Sequence, residues 1–245
     1  MKYYDLNIRG HSYESDLRLI LEANRLGWTY VNLIYSPDMY DLALKYMEDL
    51  EEKLDNIVKI ANLKKTEFEF GVEINVRNPS DVRKNSRKFR DKTKFISVFG
   101  GNSKINRIAC ENIQIDVLSR PYFKRIDCGI NHVLAKEAFK NNVAIELCFN
   151  DILSSYLSYR ARILSHFREI IKLHKKFKFP LVITTGSSSI FDIRSPRDIS
   201  AIFKSIGLNE DEIKSCLNSY PENIVSFNND RKDMVVLGVK EINNR

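Results

Sequence analysis

Seven short apolar runs punctuate the chain, at residues 3–8, 29–35, 68–76, 94–100, 113–119, 143–149 and 181–186. Most are continuous rather than alternating, the pattern of strands covered on both faces of a parallel sheet. Amphipathic helical spacing fills the gaps between them. Leu17, Ile20, Leu21 and Ala23 share one face of a helix over 14–26. Leu42, Tyr46, Leu50, Leu54, Ile57 and Val58 do so over 38–61, and Leu153, Tyr156, Leu157, Leu164, Phe167, Ile170 and Ile171 over 151–177. "NPSDVRK" (78–84) and "SPRDISAIF" (195–203) read as helix starts. In the second, Ser195 and Asp198 stand at the spacing of an acidic capping box. Residues 195–220 read as two helices, and "DMVVLGV" (233–239) as a weak extra strand or ordered tail.

Strand and helix thus alternate through most of the chain, which implies a parallel sheet with right-handed crossovers. Two closures satisfy that order, an open doubly wound sheet and a (β/α) barrel. The length of 245 residues suits a barrel, for which about 250 is typical. There is no linker, low-complexity stretch or repeat beyond the βα unit, so a single domain spanning 1–245 is expected.

Charge adds a direction. The formal net charge is +7, a moderate excess that favours a polyanionic partner. Cys110, Cys128, Cys148 and Cys216 are far apart, with no CxxC pair, and are expected as buried free thiols in a reducing compartment. No apolar stretch approaches the roughly 20 residues of a membrane span, and "MKYYDLNIRG" carries no hydrophobic signal region. A cytoplasmic protein with no membrane partner is expected.

Candidate chemistry gathers where a barrel places it, at the C-terminal strand tips. Asp5 and Asn7 fall on the first strand, Glu73 and Asn75 on the third, Asp116 on the fifth and Glu146 on the sixth. Several carboxylates around one mouth serve either as metal ligands and acid–base groups or as structural plugs paired with neighbouring donors. Histidine supply argues against zinc. Of His11, His132, His166 and His174, only His11 lies near a tip, and no HxH or HxxxH spacing occurs. "TTGSSS" (184–189) and "VFGGNSKINR" (98–107) are candidate backbone cradles for phosphate, although neither is GxGxxG or a Walker loop. No Gly-x-Ser-x-Gly elbow or placed Cys/His pair suggests a covalent nucleophile.

The positive charge is segregated. Arg83, Lys84, Arg87, Lys88, Arg90 and Lys92 crowd one predicted helix, "KLHKKFKF" (172–179) forms a second cluster, and the 38–55 region is acidic. Arg107, Arg120, Lys124, Arg125, Arg194 and Arg197 fall in loops after strands or at helix starts. A guanidinium held by a fixed loop grips phosphate with two donors. Tyr122 and Phe123, beside Lys124 and Arg125, either stack an unpaired base or cover core.

Four stretches carry a family resemblance: "YYDLNI", "GVEINV" (71–76), "NRIACENIQIDVLSRPYFKRIDCGINHVLAKEAFKNNVAIEL" (106–147) and "LVITTGSSSIFDIRSPRDI" (181–199). In order and nearly end to end, they resemble the archaeal ribonuclease P protein component 3 family, whose barrel subunit is shared with eukaryotic ribonuclease P. The resemblance implies a seven-stranded TIM-like (β/α) barrel with additional helices, similar to the polymerase and histidinol phosphatase family of metal hydrolases. Asn7 and Arg9 stand where those hydrolases keep two histidines, and Ser188 and Ile190 where they keep an aspartate and another histidine. Glu73 still stands at a carboxylate ligand position. The implied role is a noncatalytic protein subunit of ribonuclease P, in which an RNA and its bound magnesium remove the 5′ leader of precursor tRNA. Implied partners are the ribonuclease P RNA, precursor tRNA, other ribonuclease P proteins and a small ferredoxin-like subunit in a heterotetramer. Arg107, Lys124, Arg125, His132, Arg194 and Arg197 are the expected RNA contacts, with no metal or cofactor held by this chain. Two alternatives stand beside this. One is a stand-alone metal-dependent phosphoesterase using Asp5, Glu73, Asp116 and Glu146. The other is an assembly scaffold docked through the acidic 38–55 region.

Overall fold

The structure, a computed structural model, describes residues 2–231, 234–236 and 239–240. Strand β1 (Tyr4–Arg9) leads through α1 (Tyr13–Arg25) to β2 (Tyr30–Tyr35). Next come α2 (Pro37–Ala43), a single 3₁₀ turn (Leu44–Tyr46) and α3 (Met47–Ile60), then β3 (Glu67–Ile74). Helices α4 (Pro79–Arg90), α5 (Ser103–Cys110) and α6 (His132–Lys140) connect β3 to β4 (Ile96–Phe99), β5 (Val117–Ser119) and β6 (Ala144–Cys148) in turn. After α7 (Phe149–Leu153) and α8 (Leu157–Phe177) comes β7 (Leu181–Thr184). Helices α9 (Pro196–Ile206), α10 (Glu210–Lys214) and α11 (Tyr220–Asp230) follow, the last two joined by a π turn.

All seven strands pair parallel in sequence order, β1 to β7. The sheet curls into a nearly closed barrel of the TIM-like class, as expected. Its seam is closed by the segment after β7 rather than by a strand ladder. The Gly186 amide donates to the Asn7 carbonyl at 2.9 Å, and the Arg9 amide donates to the Ser187 carbonyl at 2.8 Å.

Two apolar layers result. Inside the barrel, Tyr4, Leu6, Tyr30, Ile34, Phe95, Val117, Ala144 and Val182 pack together, and Ile224 of α11 closes the bottom. Outside, alternate strand residues such as Ile8, Leu33, Val72, Val98, Leu118, Ile145 and Ile183 meet the helices' buried faces. The strands read as continuous apolar runs because both layers are dry. Trp28, buried, donates its indole N–H to the Arg194 carbonyl at 2.9 Å, tying the loop after β7 to the end of α1.

The expected helix over 38–61 is divided by the 3₁₀ turn, which brings the Tyr46 hydroxyl to Asp16 at 2.7 Å. The expected helix over 151–177 breaks at 154–156, where the Ser155 hydroxyl donates to the Asp151 carbonyl. Of 233–239, Met234–Val236 and Val239–Lys240 form a separate antiparallel pair, while residues 233, 237 and 238 lie outside the described residues.

Candidate nucleic-acid interface on the barrel rim

The mouth of the barrel is filled by its own side chains. Arg9, at the end of β1, donates from both Nη atoms to the Glu73 carboxylate at 2.6 and 2.9 Å. The guanidinium takes both oxygens of the carboxylate. Glu146 is fully buried and accepts from Asn7 Nδ2 at 2.6 Å, from Thr184 Oγ1 at 2.5 Å and from Ser119 Oγ. Asp5, also fully buried, accepts from the Asn7 amide at 3.2 Å and from the amide and hydroxyl of Thr185. It therefore braces the seam. Burial pushes its pKa up to about 7, with the Thr185 and Asn7 hydrogen bonds acting in the opposite direction. Arg120, with a positive φ of 46°, reaches Asp151 at 3.1 Å and Cys148 Sγ at 3.0 Å, and lies over the Phe99 ring. Tyr122 donates to the same Asp151 at 2.8 Å.

Asp116 does not belong to this mouth. It precedes β5 and sits at the opposite end of the barrel. There Arg90 holds it bidentately at 3.1 and 2.8 Å, and its Oδ2 accepts from the Ile96 amide at 2.7 Å. The four carboxylates of the phosphoesterase reading are therefore not a set. Two are wrapped by hydroxyls and amides, and the other two are held by arginines at separate ends. Among the described residues, no three His, Cys, Asp or Glu side chains converge as metal ligands.

Both Gly/Ser loops are also committed. The amides of 185–187 serve the seam and their own turn. The Gly100 amide donates to the Ser119 carbonyl at 2.7 Å, and the Gly101 amide donates to Asn106 Oδ1 at 3.0 Å. The glycine amides of both loops are thus taken by long-range or turn pairing rather than held open as a phosphate cradle. His166 and His174 are buried, and burial lowers the pKa of each. Tyr122 is core, so its ring is not free to stack a base, and the half-buried Phe123 packs against Phe99 with ring centroids 4.9 Å apart.

What the rim does offer is a basic groove between α5 and α6, about 380 Å³ in volume. Lys104, Arg107 and Arg125 line it, with Asp127 the acid among them. The starts of both helices face it, capped by Asn102 and Asn131, each of which accepts from two amides of its own first turn. The positive ends of two helix dipoles therefore point the same way as the cations. One buried side chain staples the groove together. Asn106 Nδ2 donates to the carbonyls of Pro121 and Gly129, both at 2.9 Å, while its Oδ1 takes the Gly101 amide. Gly129 has φ +75°, and an added Cβ would stand 2.0 Å from the Pro121 carbonyl oxygen.

The expected contact residues divide by environment. Arg107, Arg125, Lys124 and His132 lie on α5, the loop after β5 and the start of α6. Arg107 is exposed and pairs with Glu111 at 2.7 Å. Arg125 is only 22% exposed and clamps its own loop, holding Asp127 at 2.5 and 2.9 Å and the Gly101 carbonyl at 3.0 Å. Lys124 and His132 are exposed. Arg194 and Arg197 are on a separate segment after β7. Arg194 donates to the carbonyls of Phe191 and Ile193 at 2.7 and 2.9 Å, and Arg197 is exposed in the first turn of α9. Sequence reasoning missed Lys104 and Asn106, and it placed Arg120 among the loop arginines without its clamp on Asp151 and Cys148. The spacing Asn102–Lys104–Arg107, a cap followed by cations on the first turns, is the signal that would have found the groove.

Comparison with known proteins places this geometry. The model of the RNase P subunit p30 family matches residues 2–233. The chain belongs to that family. It is 44% identical over 240 residues to ribonuclease P protein component 3 of Methanothermobacter thermautotrophicus, covering 98% of this chain and 95% of the relative. It is 37% identical over 169 residues to component 3 of Methanococcoides burtonii, covering 69% of this chain and 70% of the relative. A chain in the cryo-EM structure of archaeal ribonuclease P with mature tRNA superposes with TM-score 0.80 at 32% identity, covering 99% of this chain and 98% of that one. Histidinol phosphate phosphatase of Lactococcus lactis shares the fold alone, with TM-score 0.53, 11% identity, and coverage of 85% and 95%. Family members are thus subunits of a ribonucleoprotein enzyme built on a barrel that hydrolases also use. No described helix is long and apolar enough to cross a membrane.

Proposed function

We propose that this chain is a noncatalytic protein subunit of ribonuclease P that supports RNA-catalysed removal of the 5′ leader from precursor tRNA. The observation that carries the reading is the nearly end-to-end match to component 3. The committed carboxylates of the mouth and the open basic groove on the rim fit it. Lys104, Arg107, Lys124 and His132 meet phosphates of the ribonuclease P RNA directly. Arg125 and Arg194 act by fixing the loops that present them, and Arg197 extends the contact beyond β7. Cations on a rigid rim offset phosphate repulsion and hold the RNA in register without reading its sequence. The magnesium needed for cleavage rests on the RNA, and this chain holds no cofactor of its own. Precursor tRNA and other ribonuclease P proteins complete the particle. They include a small ferredoxin-like subunit that joins this one in a heterotetramer, in the cytoplasm.

The test is reconstituted cleavage of precursor tRNA at limiting magnesium. The pair Lys104→Ala/Arg107→Ala should lower the rate several-fold, and high magnesium should restore it, while the barrel's melting curve is unchanged. An unchanged rate at limiting magnesium would remove the groove from the account.

A further inference from the structure

We propose that the outer face of α4 is a second phosphate-backbone contact, distinct from the rim groove, for a helical segment of the same RNA. This inference rests on the subunit reading and extends it to a site outside the barrel mouth. Arg83, Lys84, Arg87 and Lys88 are all exposed and fall on one side of α4, at i, i+1, i+4 and i+5. Among the described residues, none of the four makes an ion pair, whereas Arg107 and Arg125 on the rim each hold a carboxylate. The opposite side of α4, through Val82, Ser86 and Phe89, is buried against the barrel, so the cations are carried on a fixed support.

A groove of about 340 Å³ runs between α4 and α5, with Arg83 and Arg87 on one wall and Ile108, Glu111 and Asn112 on the other. Asn112 Nδ2 donates to Ser86 Oγ at 3.0 Å across its floor, so the two walls are joined. The groove and the rim groove flank the same helix, α5. Arg107 faces the rim groove, and its ion-pair partner Glu111 faces this one. Neighbouring helix axes pack roughly 8–10 Å apart, so the two basic grooves lie about one helix width from each other. One strand of phosphates cannot fill both without bending around α5. Two backbone segments bordering a groove of an RNA helix can. Duplex RNA is read in this way, by shape and phosphate position rather than base edges. Four unneutralised cations on one rigid face repel one another, a cost that a polyanion relieves. An acidic protein segment would relieve it too, and the experiment separates the two.

The experiment is equilibrium binding of the full chain to labelled ribonuclease P RNA across a salt series. It compares wild type with Arg83→Gln/Lys84→Gln/Arg87→Gln/Lys88→Gln. Glutamine keeps the helix propensity, and circular dichroism verifies folding. The control is Lys45→Gln/Lys53→Gln/Lys59→Gln/Lys64→Gln, the same charge change on exposed positions of the acidic 38–64 region. The rim pair Lys104→Gln/Arg107→Gln forms a third arm. The α4 variant should flatten the slope of log affinity against log salt by about 3, since each of the four phosphate contacts contributes roughly 0.7–0.9. The control should leave the slope unchanged, and nuclease protection should be lost over a helical RNA segment distinct from the one the rim pair exposes. An unchanged α4 slope beside a reduced rim slope would overturn the α4 site and leave the subunit reading standing. Equal flattening by the α4 variant and the control would reduce the effect to bulk charge and overturn it as well. Loss of affinity only when the other protein subunits are added would reassign α4 to a protein contact. Absence of salt-dependent binding by wild type would sink the subunit reading itself.

Discussion

Replacing Arg9 by Met tests whether the barrel mouth is a structural ion pair. The guanidinium donates twice to Glu73, and the two side chains are 20% and 8% exposed. Methionine keeps much of the aliphatic reach but no donor, so the carboxylate is left buried without its cation. Breaking a buried pair from one side costs about 3–5 kcal/mol. The partial exposure of Arg9 lets water reach the freed carboxylate, which lowers the expected cost to about 2–3 kcal/mol. For a chain of 245 residues this is a fall in melting temperature of roughly 5–10 °C. Glu73→Met alone should cost a similar amount, because it strands the guanidinium instead. Arg9→Met/Glu73→Met should recover most of the loss, since an apolar pair of similar volume replaces a buried ion pair nearly without penalty. Denaturant unfolding of the four proteins gives the coupling energy of the cycle. Reconstituted cleavage by the double variant, measured below its melting range, should match wild type. Additive losses, or a stable Arg9→Met, would refute the ion-pair reading. A folded double variant that fails to support cleavage would refute the assignment of a purely structural role.

Asp5 should make stability depend on pH. Its folded pKa, about 7, stands above the ordinary 3.8, so the folded state binds the extra proton between those values. The contribution is present in full below the ordinary value and is lost as pH rises towards 7, an effect of up to about 4 kcal/mol. His166 and His174 act the other way, so the readout is the difference between wild type and Asp5→Asn in unfolding free energy from pH 4 to 8. That difference should shift in favour of Asn as pH rises, and a flat difference would count against the buried proton. Asn106→Ala removes two buried hydrogen bonds and one part-buried one, and should cost about 2–4 kcal/mol and loosen the rim groove. Hydrogen exchange of the 121–131 amides reads this loosening directly. Gly129→Ala drives a Cβ into the Pro121 carbonyl at a left-handed φ, so it should cost upwards of about 2 kcal/mol and weaken RNA binding several-fold, as filter binding would report.

The sequence carried the seven strands because each is a doubly buried apolar run, and the structure places each within about four residues of its expected bounds. What it hid was long-range. Asp116 and Glu146 look alike as single carboxylates in apolar runs, yet one faces Arg90 at the bottom and the other faces Asn7 and Thr184 inside. Strand register, which local pattern does not contain, decides between them. "TTGSSS" has the composition of an anion loop, but its amides complete a barrel seam whose other side is nearly two hundred residues away, at Asn7 and Arg9. Arg125 and Arg194 were legible as loop arginines. Their carbonyl and carboxylate clamps were not, because they depend on turns that only the folded loops define. The split at Leu44–Tyr46 follows a tertiary demand, the reach of Tyr46 to Asp16, that overrides an otherwise helical pattern.

The most direct measurement is turnover of precursor tRNA by three preparations: the fully reconstituted particle, the particle lacking this chain, and the chain alone with magnesium or manganese. Cleavage through the RNA predicts that omission lowers the rate at limiting magnesium and that the isolated chain cleaves nothing, neither tRNA nor a simple phosphate ester. Metal-dependent turnover by the isolated chain, abolished by Glu73→Gln, would contradict the account.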